Sequence, residues 1–104
     1  MNATENQTIA TEILNQLGGS RFVAMTGAKN LAHDAGSLNF RLPSRFAREG
    51  INFVKVTLTA ADDYTVEFGK VWGLNYKAIA TQAGIYGDTL RAAFTAATGI
   101  DCTL

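Results

Sequence analysis

A second cysteine is missing from this chain of 104 residues, which excludes an intramolecular disulfide and any zinc site built from several cysteines; the single thiol, Cys102, fits a reducing cytoplasm. Proline is nearly absent too. Pro43 is the only one, no linker or internal repeat interrupts the chain, and residues 1–104 read as one domain that buries about 65% of its unfolded-chain surface. Net charge is lacking: nine Lys and Arg balance nine Asp and Glu, so no overall field draws the chain to nucleic acid or anionic lipid. No apolar run approaches the roughly 18 residues of a membrane span, and the start has no basic segment followed by an apolar one. Neither a span nor a signal peptide is expected. The sequence also lacks a carboxylate pair, a triad or a metal-ligand spacing, so the expectation is a protein without catalysis, cofactor or metal.

What is present is organised around residues 51–72, where two runs of alternating residues flank a short polar break. Val54, Val56 and Leu58 share one parity and Lys55, Thr57 and Thr59 the other; in the second run Tyr64, Val66 and Phe68 alternate with Thr65, Glu67 and Gly69. A strand sends successive side chains to opposite faces, so this is a β-hairpin with one dry and one wet face. Dry must meet dry, which requires facing residue numbers to sum to an even value. Lys55 opposite Glu67 with Val56 opposite Val66 satisfies this and sets unlike charges across from each other; a tighter turn with Thr57 opposite Glu67 is the alternative. Residues 60–63 form the loop, where Asp tolerates a left-handed conformation.

Ahead of the hairpin, Ile9, Ile13 and Leu17 recur every four residues with Leu14 beside them, predicting a helix over residues 4–17. A Thr4/Gln7 capping box would open it, and Gly18 with Gly19 would stop it. Residues 21–26, apolar on both parities, are expected to form an interior strand. The turn at residues 26–30 ends in Lys29 but lacks the glycine spacing and following Ser or Thr of a phosphate loop, and is read as structural. Residues 30–33 and 37–42 predict a second hairpin with Leu38, Phe40 and Leu42 inward, and Pro43 ends it. A Ser-capped helical turn over residues 44–50 leads back to Ile51. Residues 75–83 predict a further strand and residues 86–98 a helix stopped by Gly99, with Ile100 packing back. The fold class is α+β: an N-terminal helix, four or five antiparallel strands, and a C-terminal helix packed on the sheet.

His33 beside Asp34 has no nucleophile in a recognisable pattern and reads as a turn histidine, and Asp62 with Asp63 lacks EF-hand spacing. Two surface features are more informative. Phe53 shares parity with Lys55 and Thr57, and Trp72 borders Gly73, so both are candidates for exposed partner-binding aromatics. Between residues 21 and 55 six bases, including Arg21, Arg41, Arg45, Arg48 and Lys55, face only Asp34 and Glu49, with phenylalanines interleaved. Such a face could bind nucleic acid by phosphate contacts. Most of those aromatics fall on core parity, however, so no measurable oligonucleotide binding is expected at physiological salt.

The segments at residues 16–30 (QLGGSRFVAMTGAKN), 46–58 (FAREGINFVKVTL) and 62–71 (DDYTVEFGKV), with the closing TGIDCTL, resemble a family of small uncharacterised proteins of bacteriophage and mobile elements. The resemblance carries no activity or functional residue with it. It implies a small phage or prophage accessory protein acting in the host cytoplasm. The primary expectation is a protein-binding module, possessing a homodimeric state, that uses a sheet edge or the Phe53/Trp72 region. A weak nucleic-acid binder using Arg21, Arg41, Arg45, Arg48 and Lys55 is the second reading.

Overall fold

Among the described residues five antiparallel strands form one sheet in the order β1-β2-β3-β4-β5, and three helices pack on one of its faces. The structure is a computed structural model that describes residues 3–34, 36–43 and 50–99. The expectations that rest on Arg45, Arg48, the turn at residues 44–49, Ile100, Cys102 and the side chains of Thr4, Gln7 and Asp34 lie outside the described residues.

The elements are α1 (Ala3–Leu17), α2 (Ser20–Thr26), β1 (Lys29–Asp34), β2 (Ser37–Arg41), β3 (Phe53–Leu58), β4 (Tyr64–Trp72), β5 (Asn75–Ile85) and α3 (Leu90–Thr98). The central hairpin takes the register that parity and charge dictate, with Lys55 opposite Glu67 and Val56 opposite Val66. Asp62 supplies the left-handed residue of its loop, at φ 61°. Leu38, Phe40, Val54, Val56, Val66 and Phe68 then fall on the helix-covered face, each at most 4% exposed. They meet Ile13 and Leu17 of α1, Phe22 of α2, and Leu90 and Phe94 of α3 in one continuous core.

The segment expected as an interior strand, residues 21–26, is instead the helix α2. Gly18 and Gly19, at φ 132° and 63°, break the chain direction, and a new helix starts at once. Within it Phe22 and Thr26 are the buried residues, one turn apart, and the Thr26 hydroxyl donates to the Phe22 carbonyl at 2.7 Å. Phe22 reaches Phe40 and Phe94 edge-on, with ring centroids 5.4 and 5.0 Å away. A strand would have sent Phe22, Ala24 and Thr26 to one face, whereas Ala24 is exposed. Gly27 closes the helix in the left-handed region, its N–H donating to the Val23 carbonyl.

At the other end, the C-terminal helix is shorter than its periodicity suggests. Ile85 belongs to β5, opposite Tyr64, and residues 86–89 form a turn in which Thr89 Oγ1 donates to the Tyr86 carbonyl. The helix begins at Leu90.

Candidate functional site

The β4–β5 hairpin carries the least ordinary surface of the molecule. Its loop has two residues, Gly73 and Leu74, with Gly73 at φ 59° in the first position, where a type II′ turn requires a left-handed residue. Trp72 and Tyr76 beside it are 48% and 44% exposed, and the Leu74 side chain is fully exposed. Large apolar groups gathered at a projecting tip are the usual mark of a contact surface.

The base of this hairpin is held rigidly. Asn52, 7% exposed, accepts from the Val71 N–H at 2.7 Å and donates from Nδ2 to the Val71 carbonyl at 2.9 Å, while its own N–H donates to the Gly69 carbonyl. A side-chain amide thus completes the ladder where the paired residues of β3 end, and fixes the faces of the residues on either side of Val71. Lys70 and Trp72 point to the helix side of the sheet. Register places Lys77 directly opposite Lys70, on that same side. A cleft of about 720 Å³ opens there, lined by Lys70, Trp72, Lys77, Ala78 and Ile79. Ile79 is the extra residue of a bulge between the pairs Phe68/Ala80 and Gly69/Ala78, which bends β5 at this point.

The opposite face of the sheet is open and mainly polar. Here Tyr76 lies over Gly69, where a Cβ would collide with its ring, and its hydroxyl donates to the Glu67 carboxylate. Phe53 stands edge-on to the same ring at a centroid distance of 5.6 Å. Burial, and after it the bond to and charge of Glu67, push the Tyr76 phenol well above its ordinary pKa. Burial also raises Tyr64, helped by the charge of Glu12 and opposed by a bond from Gln16. The folded state therefore favours the neutral phenols. Their contribution is fully present below the unfolded tyrosine pKa of about 10 and is lost as pH climbs above it. Tyr76→Phe should cost about 1 kcal/mol or less at neutral pH and make the alkaline loss of stability shallower, with Tyr64 supplying the remainder. Urea midpoints on both sides of pH 10 check this; an unchanged alkaline slope would remove the Tyr76–Glu67 bond from the account.

The residues singled out from the sequence are distributed rather than gathered. Phe53 is half-buried on the open face and Trp72 is exposed on the helix side, so the two aromatics do not form one patch. Arg41 and Lys55 share the open face, where Glu67 stands opposite Lys55; Arg21 is exposed on α2, in the helical layer beyond the sheet. Lys29 stands opposite Arg41 on that open face as well, so three of the four described bases of this stretch share it and Arg21 alone lies elsewhere. Lys70 and Lys77 were not recognised from sequence as a pair, although a two-residue loop at residues 73 and 74 would have placed them opposite each other. Among the described residues no group of three His, Cys, Asp or Glu side chains could hold a metal ion. No helix among them is long and apolar enough to cross a membrane.

Comparison of the chain with protein-family models, with curated proteins and with solved structures finds no match.

Proposed function

We propose that the protein is a small binding module without catalysis, an accessory protein of phage or prophage origin acting in the host cytoplasm, and that it works through the free edge of β5 by pairing with a second copy of itself. One observation carries this reading: β5 is an edge strand of 11 residues whose only charged side chain is Lys77. Edge strands expose unpaired backbone groups, and proteins that do not use them shorten, bulge or charge them. The other edge, β1, has those protections: six residues including Lys29, His33 and Asp34, a register shift after Lys29, and Asn30 at φ 55°. β5 is itself bulged at Ile79 and again opposite Thr65, with Gly84 at φ 71°, but neither irregularity adds a charge, so what distinguishes it from β1 is length and lack of charge. Antiparallel pairing about a two-fold axis near Thr81 keeps the two Lys77 side chains about 27 Å apart along the strands, so like charges never meet.

Light scattering tests the reading. The wild-type protein should show a dimer mass that falls on dilution, and Thr81→Lys with Ala83→Lys, both at exposed positions, should give a monomer with little change in melting temperature. A wild-type monomer throughout the micromolar range would overturn the proposal, as would a dimer indifferent to both substitutions. In the second reading, nucleic-acid binding, Arg41 and Lys55 would act from the open face of the sheet, with Arg21 apart from them on α2.

A further inference from the structure

We propose that the cleft at the base of the β4–β5 hairpin binds a nucleotide unit, its phosphate held between Lys70 and Lys77 and its base against the indole of Trp72. The site shares Lys77, Ala78 and Ile79 with the β5 strand used for pairing, but it uses the helix-side face of that strand and not its outward backbone groups.

Three observations lead to it. Lys70 and Lys77 are direct cross-strand partners on the same face, an arrangement in which like charges repel. The nearest acid along β4, Glu67, faces the other side and accepts the Tyr76 hydroxyl. The Lys70 side chain lies over Gly50, no described carboxylate relieves the pair, and an anion bound on this face would draw both lysines to it. Trp72, the sole tryptophan, is two residues from Lys70 on the same face, about 7 Å along the strand, and is 48% exposed. An accessible indole beside paired cations offers a stacking platform next to a phosphate site, which is how single-stranded nucleic acid is held without reading its sequence. The third is the cleft itself. Its volume of about 720 Å³ suits a small ligand, and the Asn52 clamp on Val71 fixes the backbone between Lys70 and Trp72, and with it the face both side chains leave from.

The expectation that the chain binds no oligonucleotide rested on its neutrality and on aromatics committed to the core. Trp72 is not so committed. With two lysines the interaction is weak and salt-dependent, with a log-log slope of about −1.4 for a single strand.

The single tryptophan makes the test direct. Its fluorescence should be quenched saturably by a short oligothymidylate and by thymidine monophosphate at low salt, and inorganic phosphate should compete. Lys70→Gln with Lys77→Gln should weaken binding at least about tenfold and flatten the salt slope, with the melting temperature retained. Tighter binding of the oligonucleotide would identify a single strand as the source of the nucleotide unit; equal binding of the monophosphate would identify a free nucleotide. Absence of quenching by either ligand would overturn the proposal. So would quenching that survives the double substitution, or an equal effect of phosphate-free thymidine.

Discussion

Val56→Asp should abolish cooperative folding. Val56 lies on β3, the third of five strands, is 1% exposed, and is flanked across the sheet by Leu38 and Val66 on the helix-covered face. A carboxylate there has no described polar partner. Burying one without a partner costs several kcal/mol, comparable with the roughly 5 to 15 kcal/mol that holds a whole domain folded. The neighbouring Thr57→Asp places the same charge on the open face and should change stability by no more than about 1 kcal/mol. Circular dichroism melts of the two variants separate the faces. A Val56→Asp protein that melts like the wild type would mean that the faces are assigned the wrong way round.

Phe22→Ala is expected to have the next largest effect, a loss of about 3 to 5 kcal/mol. Phe22 is fully buried and joins three elements: its ring stands edge-on to Phe40 of β2 and Phe94 of α3, whose own rings are 6.4 Å apart. Removing it leaves a cavity at the point where both helices meet the sheet, with two aromatic pairs lost as well. Met25→Ala, three residues on and exposed on the same short helix, should be nearly neutral. Denaturant midpoints check the pair. Equal effects of the two substitutions would contradict the burial of Phe22 and the exposure of Met25.

The difference between these segments explains how far the sequence could be read. In β3 and β4 alternation runs long enough to fix the faces, and the Lys55–Glu67 pair then selects one register among those that parity allows. In α2 there are only seven residues, and the apolar run from Phe22 to Met25 satisfies either period. The Gly18–Gly19 pair was legible as a stop, but nothing local showed that a second helix restarts immediately. The bulge at Ile79 was hidden for a different reason: it is set by how β5 follows the twist of β4, a tertiary matter. The two-residue loop brings Lys70, Trp72 and Lys77 together, and the bulge adds Ile79 to the lining. The cleft was therefore not readable from residues 70–77 taken singly, whereas the exposure of Trp72 itself was.

Its Tyr76–Gly69 contact also bears on the binding surfaces. By lying over Gly69, the ring fills a gap on the open face and is held there by Glu67 and Phe53. This leaves Leu74 and Trp72 as the apolar groups free at the tip, on the margin of the unpaired edge.

The most direct measurement of the central claim, that the β5 edge is the working surface, is amide hydrogen exchange as a function of protein concentration. Opening of an unpaired edge lets its outward amides exchange freely, while pairing with a second copy protects them. The account predicts that protection between residues 76 and 84 grows with concentration while β1 exchanges at a constant rate, and that Thr81→Lys with Ala83→Lys removes the growth. Exchange in β5 that does not depend on concentration, or protection that appears at β1 instead, would contradict it.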